Sequence, residues 1–496
     1  MILIFVLLYL STNPLFGYFC CMYRFFTVTF LVLLSAQFAK AQNNNDIWSL
    51  QRCVQYAVEH NISIQQDVLN KRLAHYTLLQ SQLAQLPSLS SSGSYAKNFG
   101  RSIDPTTYSY VDAGFDNISI SGNSNVLLFG WFQQRNTIAK NRFSLQASQA
   151  DLDQLKDDVS LNVATGYLRT LLAQEQINAS EKQVDLSKAQ LAQTKSFANA
   201  GRLPELNVAQ LESQLATDSS NLINAIATYN SAILDLKTLL NLDFSTPFSI
   251  LAPDVQVSDQ ILVSNMQPEE IYQQAKIHFG SVKGAQMRLE AAKKGLNASK
   301  GALFPQLSLN AQLGTNWSSN YKSYNLGPYV RQSTGAYTLT NDTVYRYAPL
   351  NLPYTPTLGD QLSNNIREMV SATINVPLFN GWQSQYLVRQ SKINLQTQEL
   401  NVYQAELTLK QNVYKAHNDA VNSIQKYYAS LRAEQAAQRA LDFAQKRYDL
   451  GLTSTVDFLV TQNQHYSAAY NLLSSKYDLI FKLKVIDYYL GKELKL

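Results

Sequence analysis

The residue types that most often perform chemistry are sparse in this chain and poorly spaced for it. The five histidines, His60, His75, His278, His417 and His465, are scattered, and none forms a metal-ligand pair at helical spacing. There is no Cys-x-x-Cys, no glycine-rich phosphate loop and no nucleophile elbow. The adjacent acids Asp157-Asp158 and Glu269-Glu270 fall in helical stretches, where a solvated surface is the ordinary role. Of three cysteines, Cys20 and Cys21 lie in the extreme N-terminus, which leaves Cys53 on an apolar helix face as a small buried residue. No catalytic, cofactor or metal site is expected, and the chain does not read as an enzyme.

Composition points the same way. Charged residues are 16% of the 496-residue chain and hydrophobic residues 46%, with Ser, Asn, Gln and Thr filling the gap. Such a balance suits a protein that meets water on some faces and lipid on others. The net charge of +5 is small, and no Lys/Arg run marks a nucleic-acid footprint.

Residues 1–41 read as a signal peptide. Met22-Tyr23-Arg24 supplies a positive start, an apolar stretch runs to Leu34, and Ala39-Lys40-Ala41 gives a small-x-small cleavage pattern. Translation is expected to begin at Met22, with an N-terminal membrane anchor as the alternative. Beyond residue 42 no run of about 18 apolar residues exists, so no transmembrane helix is expected and the processed chain is exported.

The elements that carry the remaining residues repeat. Asn125-Val126-Leu127-Leu128-Phe129 returns as Asn375-Val376-Pro377-Leu378-Phe379, Gly201 as Gly451, and Leu240-Asn241 as Leu490-Gly491, all in one register. Leu86-Pro87-x-Leu89 returns as Phe304-Pro305-x-Leu307 at a shorter separation, so the second copy carries an insertion. The spacing predicts a first repeat over 42–241, with strands at 87–99 and 112–128 and a helical hairpin at 131–241. A linker follows at 242–265. A second repeat over 266–496 has strands at 305–317 and 368–379 and a hairpin at 382–491.

Each repeat opens with a helix, Trp48 to Leu86 and Pro268 to Leu303, stopped by a proline. The strands alternate. Leu307, Leu309, Ala311 and Leu313 are separated by Ser308, Asn310 and Gln312, and Val370, Ala372 and Ile374 by Ser371 and Thr373. Their length is near the roughly 10 residues of an outer-membrane strand; a soluble half-buried hairpin is the competing reading. The stretch from Trp131 to Lys195 has no proline, so its helix would run about 100 Å. Leu145, Leu152 and Val159 are seven apart, as are Ile177, Val184 and Leu191, a coiled-coil spacing.

Four strands cannot close a barrel, and open edges are not tolerated in lipid. Copies must therefore share one. Two copies would give eight strands and a filled interior; three give twelve and leave a lumen, which the polar strand faces favour.

The duplicated strand start, the segment Val376-Pro377-Leu378-Phe379-x-Gly381, and the turn Leu450-Gly451-Leu452-Thr453 followed by Asp457 resemble the TolC-like outer-membrane efflux proteins. Trp48-Ser49-Leu50 through Ala57 and Asn61 is similar to that family's first helix, and the resemblance runs over residues 46–496. It implies a mixed α and β membrane protein: a homotrimer with a twelve-stranded transmembrane β-barrel, four strands per chain, continued by a long α-helical barrel across the periplasm. It implies a passive duct of a tripartite export system, joined by a periplasmic adaptor to an inner-membrane transporter. A duct of type I protein secretion and a periplasmic coiled-coil adaptor remain as alternatives. The paired strands speak against an adaptor.

The resemblance also assigns working residues. The hairpin turns become the periplasmic tip, with Gly201, Arg202, Leu203, Leu450, Gly451, Leu452 and Thr453 as the adaptor-docking residues. The competing role for Gly201 and Gly451 is a positive φ at a helix stop. Tyr448, Asp457 and its neutral counterpart Asn207 are candidate residues of a periplasmic gate. Asp457 equally fits a helix cap from Ser454, and Tyr448 a packing tyrosine. Phe129, Trp131, Phe379 and Trp382 flank the strand-to-helix junctions and suit either a membrane-interface girdle or local packing. The inserted segment 321–354 holds seven tyrosines and is expected outside the cell.

Overall fold

A computed structural model describes residues 47–104, 106–112, 114–251 and 266–492, with the side chain of Val111 left aside. The expected signal peptide and most of the expected linker lie outside these residues. The chain divides into two compact units, one from residues up to 55 and 166–255, the other from 56–165 and 256–494.

The helical stretches open with a break that periodicity did not show. Instead of one helix from Trp48 to Leu86, α1 (Leu50–His60) gives way to α2 (Ile62–Leu83). Asn61 between them is extended, and its side chain accepts from the amides of Ser63 and Ile64 at 2.9 and 3.4 Å. An asparagine that caps the next helix satisfies amides the broken helix leaves without partners. The second such stretch divides likewise, into α5 (Pro268–His278) and α6 (Gly280–Gly301), around an extended Phe279. Here the reason is packing: a Cβ on Gly280 would run into the carbonyl of Ala150 and lie 2.8 Å from Gln154 Cβ, so only glycine permits this approach.

In the first unit, β1 (Ile47–Trp48) pairs in parallel with β6 (Ser249–Ile250). The buried Tyr167 reaches both, its hydroxyl 2.9 Å from the Trp48 carbonyl and 2.6 Å from that of Leu251. Desolvation raises its pKa above the ordinary tyrosine value. Cys53 is fully buried here, and burial pushes its thiol up to about 12, which leaves it an inert packing group. The distal part of α3 (Gln133–Asn199) meets α4 (Glu205–Leu240) where Gly166 faces Leu236 and Leu239 and the Thr170 hydroxyl donates to the Ala232 carbonyl at 3.3 Å; Leu211, Leu236 and Leu240 of α4 are fully buried. A polar seam continues this contact. Asp218, almost fully buried, accepts from Ser187 Oγ at 2.5 Å, Gln214 at 2.9 Å and Gln183 at 3.3 Å.

The second unit holds a four-stranded antiparallel sheet in the order β10-β7-β5-β2. Its strands are β2 (Ser88–Asn98), β5 (Phe115–Phe129), β7 (Gln306–Ser318) and β10 (Arg367–Asn375). The fourth was expected to run to residue 379, but its ladder stops at Asn375, two residues before Pro377, which lacks an amide to donate. Two small elements, β3 (Ser102–Ile103) and β4 (Tyr110–Val111), pair in the loop between β2 and β5. The insertion forms a hairpin, β8 (Ser323–Tyr337) with β9 (Thr343–Tyr354), then the short helix α7 (Leu358–Asn364). From β10 the chain enters α8 (Gln383–Asp449) and returns along α9 (Thr455–Tyr489). Their core packs Ile271, Ala275 and Val282 against Leu409, Val413, Leu479, Leu483 and Ile486. At 67 residues each, α3 and α8 extend about 100 Å. No described helix is long and apolar enough to cross a membrane.

Candidate functional site

The sheet is the first place where chemistry is organised by structure. Its register puts Ser88, Ser90, Ser92 and Ser94 on one face with Asn125, Asn123, Ser121 and Ser119 of β5. That face continues through Asn310, Gln312 and Asn316 on β7 to Thr373, Ser371 and Arg367 on β10. Its side chains bond one another: Ser92 and Ser121 hydroxyls are 2.9 Å apart, and Asn310 donates to Thr373 at 3.3 Å. The opposite face carries Leu89, Ile118, Ile120, Val126, Leu309, Leu313, Val370, Ala372 and Ile374, with the small residues Ser91, Gly93, Gly122 and Ser124 and with Thr315 between them. Its charges, Lys97, Asp116 and Glu368, sit in the last rungs away from the long helices.

One polar and one apolar face, on strands of 9 to 15 residues, is the pattern of a sheet between water and lipid. The edges are β2 and β10, and among the described residues neither has a partner strand beyond the sheet. All four strands meet the long helices at one end, and the insertion leaves β7 at the other.

The strand-to-helix junctions take an unusual backbone. Trp131, Phe132 and Trp382 all have positive φ, at 49°, 59° and 68°, a conformation that costs side-chain-bearing residues roughly 1–2 kcal/mol each. Trp131 sits 5.6 Å from Phe129 and 4.7 Å from Phe304, ring centre to ring centre. Trp382 lies against Tyr386 and beneath the Arg389 guanidinium. Phe379 is 86% exposed and joins neither group.

At the hairpin turns, Gly201 and Gly451 adopt φ of 67° and 72°, in the left-handed region that stops a helix. Arg202 folds back over the Phe197 ring at 4.5 Å, and Leu203 is half-buried. Leu450 and Leu452 are 73% and 63% exposed, an apolar pair presented to solvent, and Thr453 is half-buried. Tyr448 is buried and stacks on Phe458 at 4.7 Å. Asp457 is exposed; its amide donates to Ser454 Oγ at 3.1 Å, and its carboxylate accepts from that hydroxyl at 2.7 Å. Asn207 is half-buried, its amide donating to the Pro204 carbonyl at 3.0 Å.

Two features escaped the sequence reading. Along α8, Tyr386, Ile393, Leu400, Leu407 and Tyr414 are 51, 64, 69, 47 and 41% exposed and fall seven residues apart. That spacing was visible in the sequence, but only the fold shows it to face away from the chain's own core. At the far end of the sheet, the loop after β2 turns back onto the polar face. Asp104, with no exposed surface, accepts from Ser318 Oγ at 2.6 Å and from the Thr106 amide at 2.7 Å. Asn316 Nδ2 donates to Thr106 Oγ1 at 3.2 Å, and Arg367 binds the Tyr108 hydroxyl. Gln361 of α7 accepts from the Ser318 amide at 3.0 Å.

A sheet with a lipid-grade face and a water-grade face, joined to helices far longer than a globular core needs, defines a membrane conduit protein. Residues 53–242 and 271–491 match the family described as Outer membrane efflux protein, and the chain belongs to that family. Its similarity to the outer membrane efflux protein BepC of Brucella suis is 21% identity over 392 residues, 78% of this chain and 74% of that one. It is likewise 21% identical to toxin and drug export protein A of Aggregatibacter actinomycetemcomitans over 88% of this chain and 86% of the relative. The fold matches the outer membrane protein VceC of Vibrio cholerae with a TM-score of 0.69 and 16% identity, covering 90% of this chain and 97% of that structure. The protein is therefore an outer-membrane efflux channel component.

Proposed function

We propose that three copies of this chain form a passive, non-enzymatic duct: a twelve-stranded barrel in the outer membrane continued by a helical tunnel. The observation that carries this reading is the four-stranded sheet with two unfilled edges, one polar face and one apolar face. Edges left open in lipid cost several kcal/mol per unpaired amide. β2 runs away from the helices and β10 toward them, so β10 of one copy meets β2 of the next antiparallel, as the sheet's own pattern demands. Polar faces then line water and apolar faces meet lipid. The exposed heptad stripe of α8 supports the same assembly, because such a stripe needs a facing helix.

The two matched stretches, each with strands, a 67-residue helix and a return helix, support one unit used twice. In this reading the hairpin turns are the periplasmic tip. Gly201, Arg202, Leu203 and Leu450 to Thr453 dock an adaptor, which connects the duct to an inner-membrane transporter. The exposed Leu450 and Leu452 supply its apolar contact. Tyr448 acts as packing under that turn and Asp457 as part of a cap, so neither is assigned a gate of its own. Phe129, Trp131, Phe379 and Trp382 lie at the periplasmic edge of the bilayer. In this reading the transporter selects the cargo; one relative is named as a toxin and drug export protein.

The test is assembly. Cysteines placed in pairs along β2 and β10 should give disulfide-linked dimers and trimers on non-reducing gels of isolated outer membranes. A chain that stays monomeric and dissolves without detergent would overturn the reading.

A further inference from the structure

We infer that Arg367 makes the outer mouth of the duct an anion-favouring constriction, so that solutes with net negative charge leave through it preferentially. The inference rests on the proposed barrel with its polar face inward.

Among the paired residues of that face, Arg367 is the only charged one. The others are serines, asparagines, glutamines and a threonine, with Gly314, Ala96, Phe115, Leu127 and Met369. It occupies the first rung of β10, opposite Gly314, at the end away from the long helices. Glycine there leaves the long side chain uncovered, and Arg367 is exposed.

Its direct contacts carry no opposite charge. The partner of its guanidinium is the Tyr108 hydroxyl and ring, not a carboxylate. Asp104, on the same loop, keeps its charge but is sealed from solvent and bonds Ser318 and two backbone amides, so a solute at the mouth meets the exposed Arg367 and not this carboxylate. Of the other charges at this end, Arg101 pairs with Asp112 at 3.5 Å and Lys97 with Asp116 at 3.8 Å, and the Asp360 carboxylate of α7 accepts from Thr357 in a helix cap. Glu368 points to the opposite face. The edge strand that another copy would bring beside β10 offers only Ser88, Ser90, Ser92, Ser94, Ala96 and Asn98 on the polar side.

The strapped loop narrows the passage where this charge sits, because Asp104, Thr106 and Tyr108 all bond to the polar face or to Arg367 itself. A cation repeated around a narrow, water-filled opening attracts anions and repels cations, as arginine rings do in anion pores.

The probes are anionic sulfonatoethyl and cationic trimethylammonium-ethyl methanethiosulfonate, applied to outer membranes carrying the full chain. Labelling of Met369→Cys, two residues along the same face, is compared with the chain lacking that cysteine. The anionic reagent should react faster at low salt. Arg367→Gln should lower the anionic-to-cationic rate ratio by about threefold or more, and Arg367→Lys should preserve it. An unchanged ratio in Arg367→Gln overturns the inference. Loss of the preference in Arg367→Lys also overturns it, since the Tyr108 contact and not the charge would then be responsible. Val370→Cys, on the apolar face, separates the two levels: it should be shielded by lipid. If it labels as readily as Met369→Cys, the barrel reading itself fails.

Discussion

The Tyr488 hydroxyl donates to Asp158 Oδ1 at 2.6 Å and accepts from Gln154 Nε2 at 2.9 Å, tying α9 to α3 within the second unit. Burial first, and then this bond to a carboxylate, raise the tyrosine pKa above its ordinary value. The folded protein therefore holds that proton more tightly than the unfolded chain does. Stability contributed by Tyr488 is complete below the ordinary tyrosine value of about 10 and is lost as pH rises beyond it. Tyr488→Phe should cost about 1–3 kcal/mol at neutral pH, because Asp158 loses a donor. It should also flatten the fall in stability above about pH 10. Thermal unfolding in detergent, followed from neutral to alkaline pH for both chains, checks the pair of effects.

Gly280 is a second tight point. Its α carbon passes so close to the Ala150 carbonyl that an added methyl must displace backbone, not a flexible side-chain end. Gly280→Ala is expected to destabilise by about 1–3 kcal/mol, whereas Gly359→Ala, in open space, should be near neutral. Comparing their melting temperatures in one detergent decides it.

The α8 stripe makes a prediction about assembly and not about folding. Leu400 is 69% exposed, so Leu400→Asp should leave the helix content unchanged. In the proposed trimer it buries a charge against a neighbouring helix and should shift the population toward smaller species. Light scattering on a sizing column reads the mass; an unaltered trimer would count against this face as an interface.

At the second hairpin turn, cap and charge make different demands. Ser454→Ala removes the hydroxyl that serves the Asp457 amide and should cost about 1 kcal/mol. Asp457→Asn keeps an oxygen for the Ser454 hydroxyl and should cost less. It should also leave the cation-to-anion permeability ratio in planar bilayers unchanged, which a charge ring at this position would not allow.

Much of this was legible from residue order because the signals are local. The alternation at Leu307, Leu309, Ala311 and Leu313 became β7, and Gly201 and Gly451 stop helices at positive φ, as their type and neighbours imply. The helix breaks at Asn61 and Phe279 were not legible. Asn61 is an ordinary helix-surface residue until its side chain turns to cap, and the break at Phe279 depends on how closely Gly280 meets Ala150.

What the chain's own order determined was thus periodicity: which stretches are strands or rods, and that the strands have one polar and one apolar side. What only the tertiary structure decided was juxtaposition. Asp104 and Ser318 are 214 residues apart, and no spacing rule brings them to 2.6 Å. Nor does spacing say that Arg367 stands alone on a neutral face. That follows from strand register, which is set by the packing of every rung together and not by any one of them.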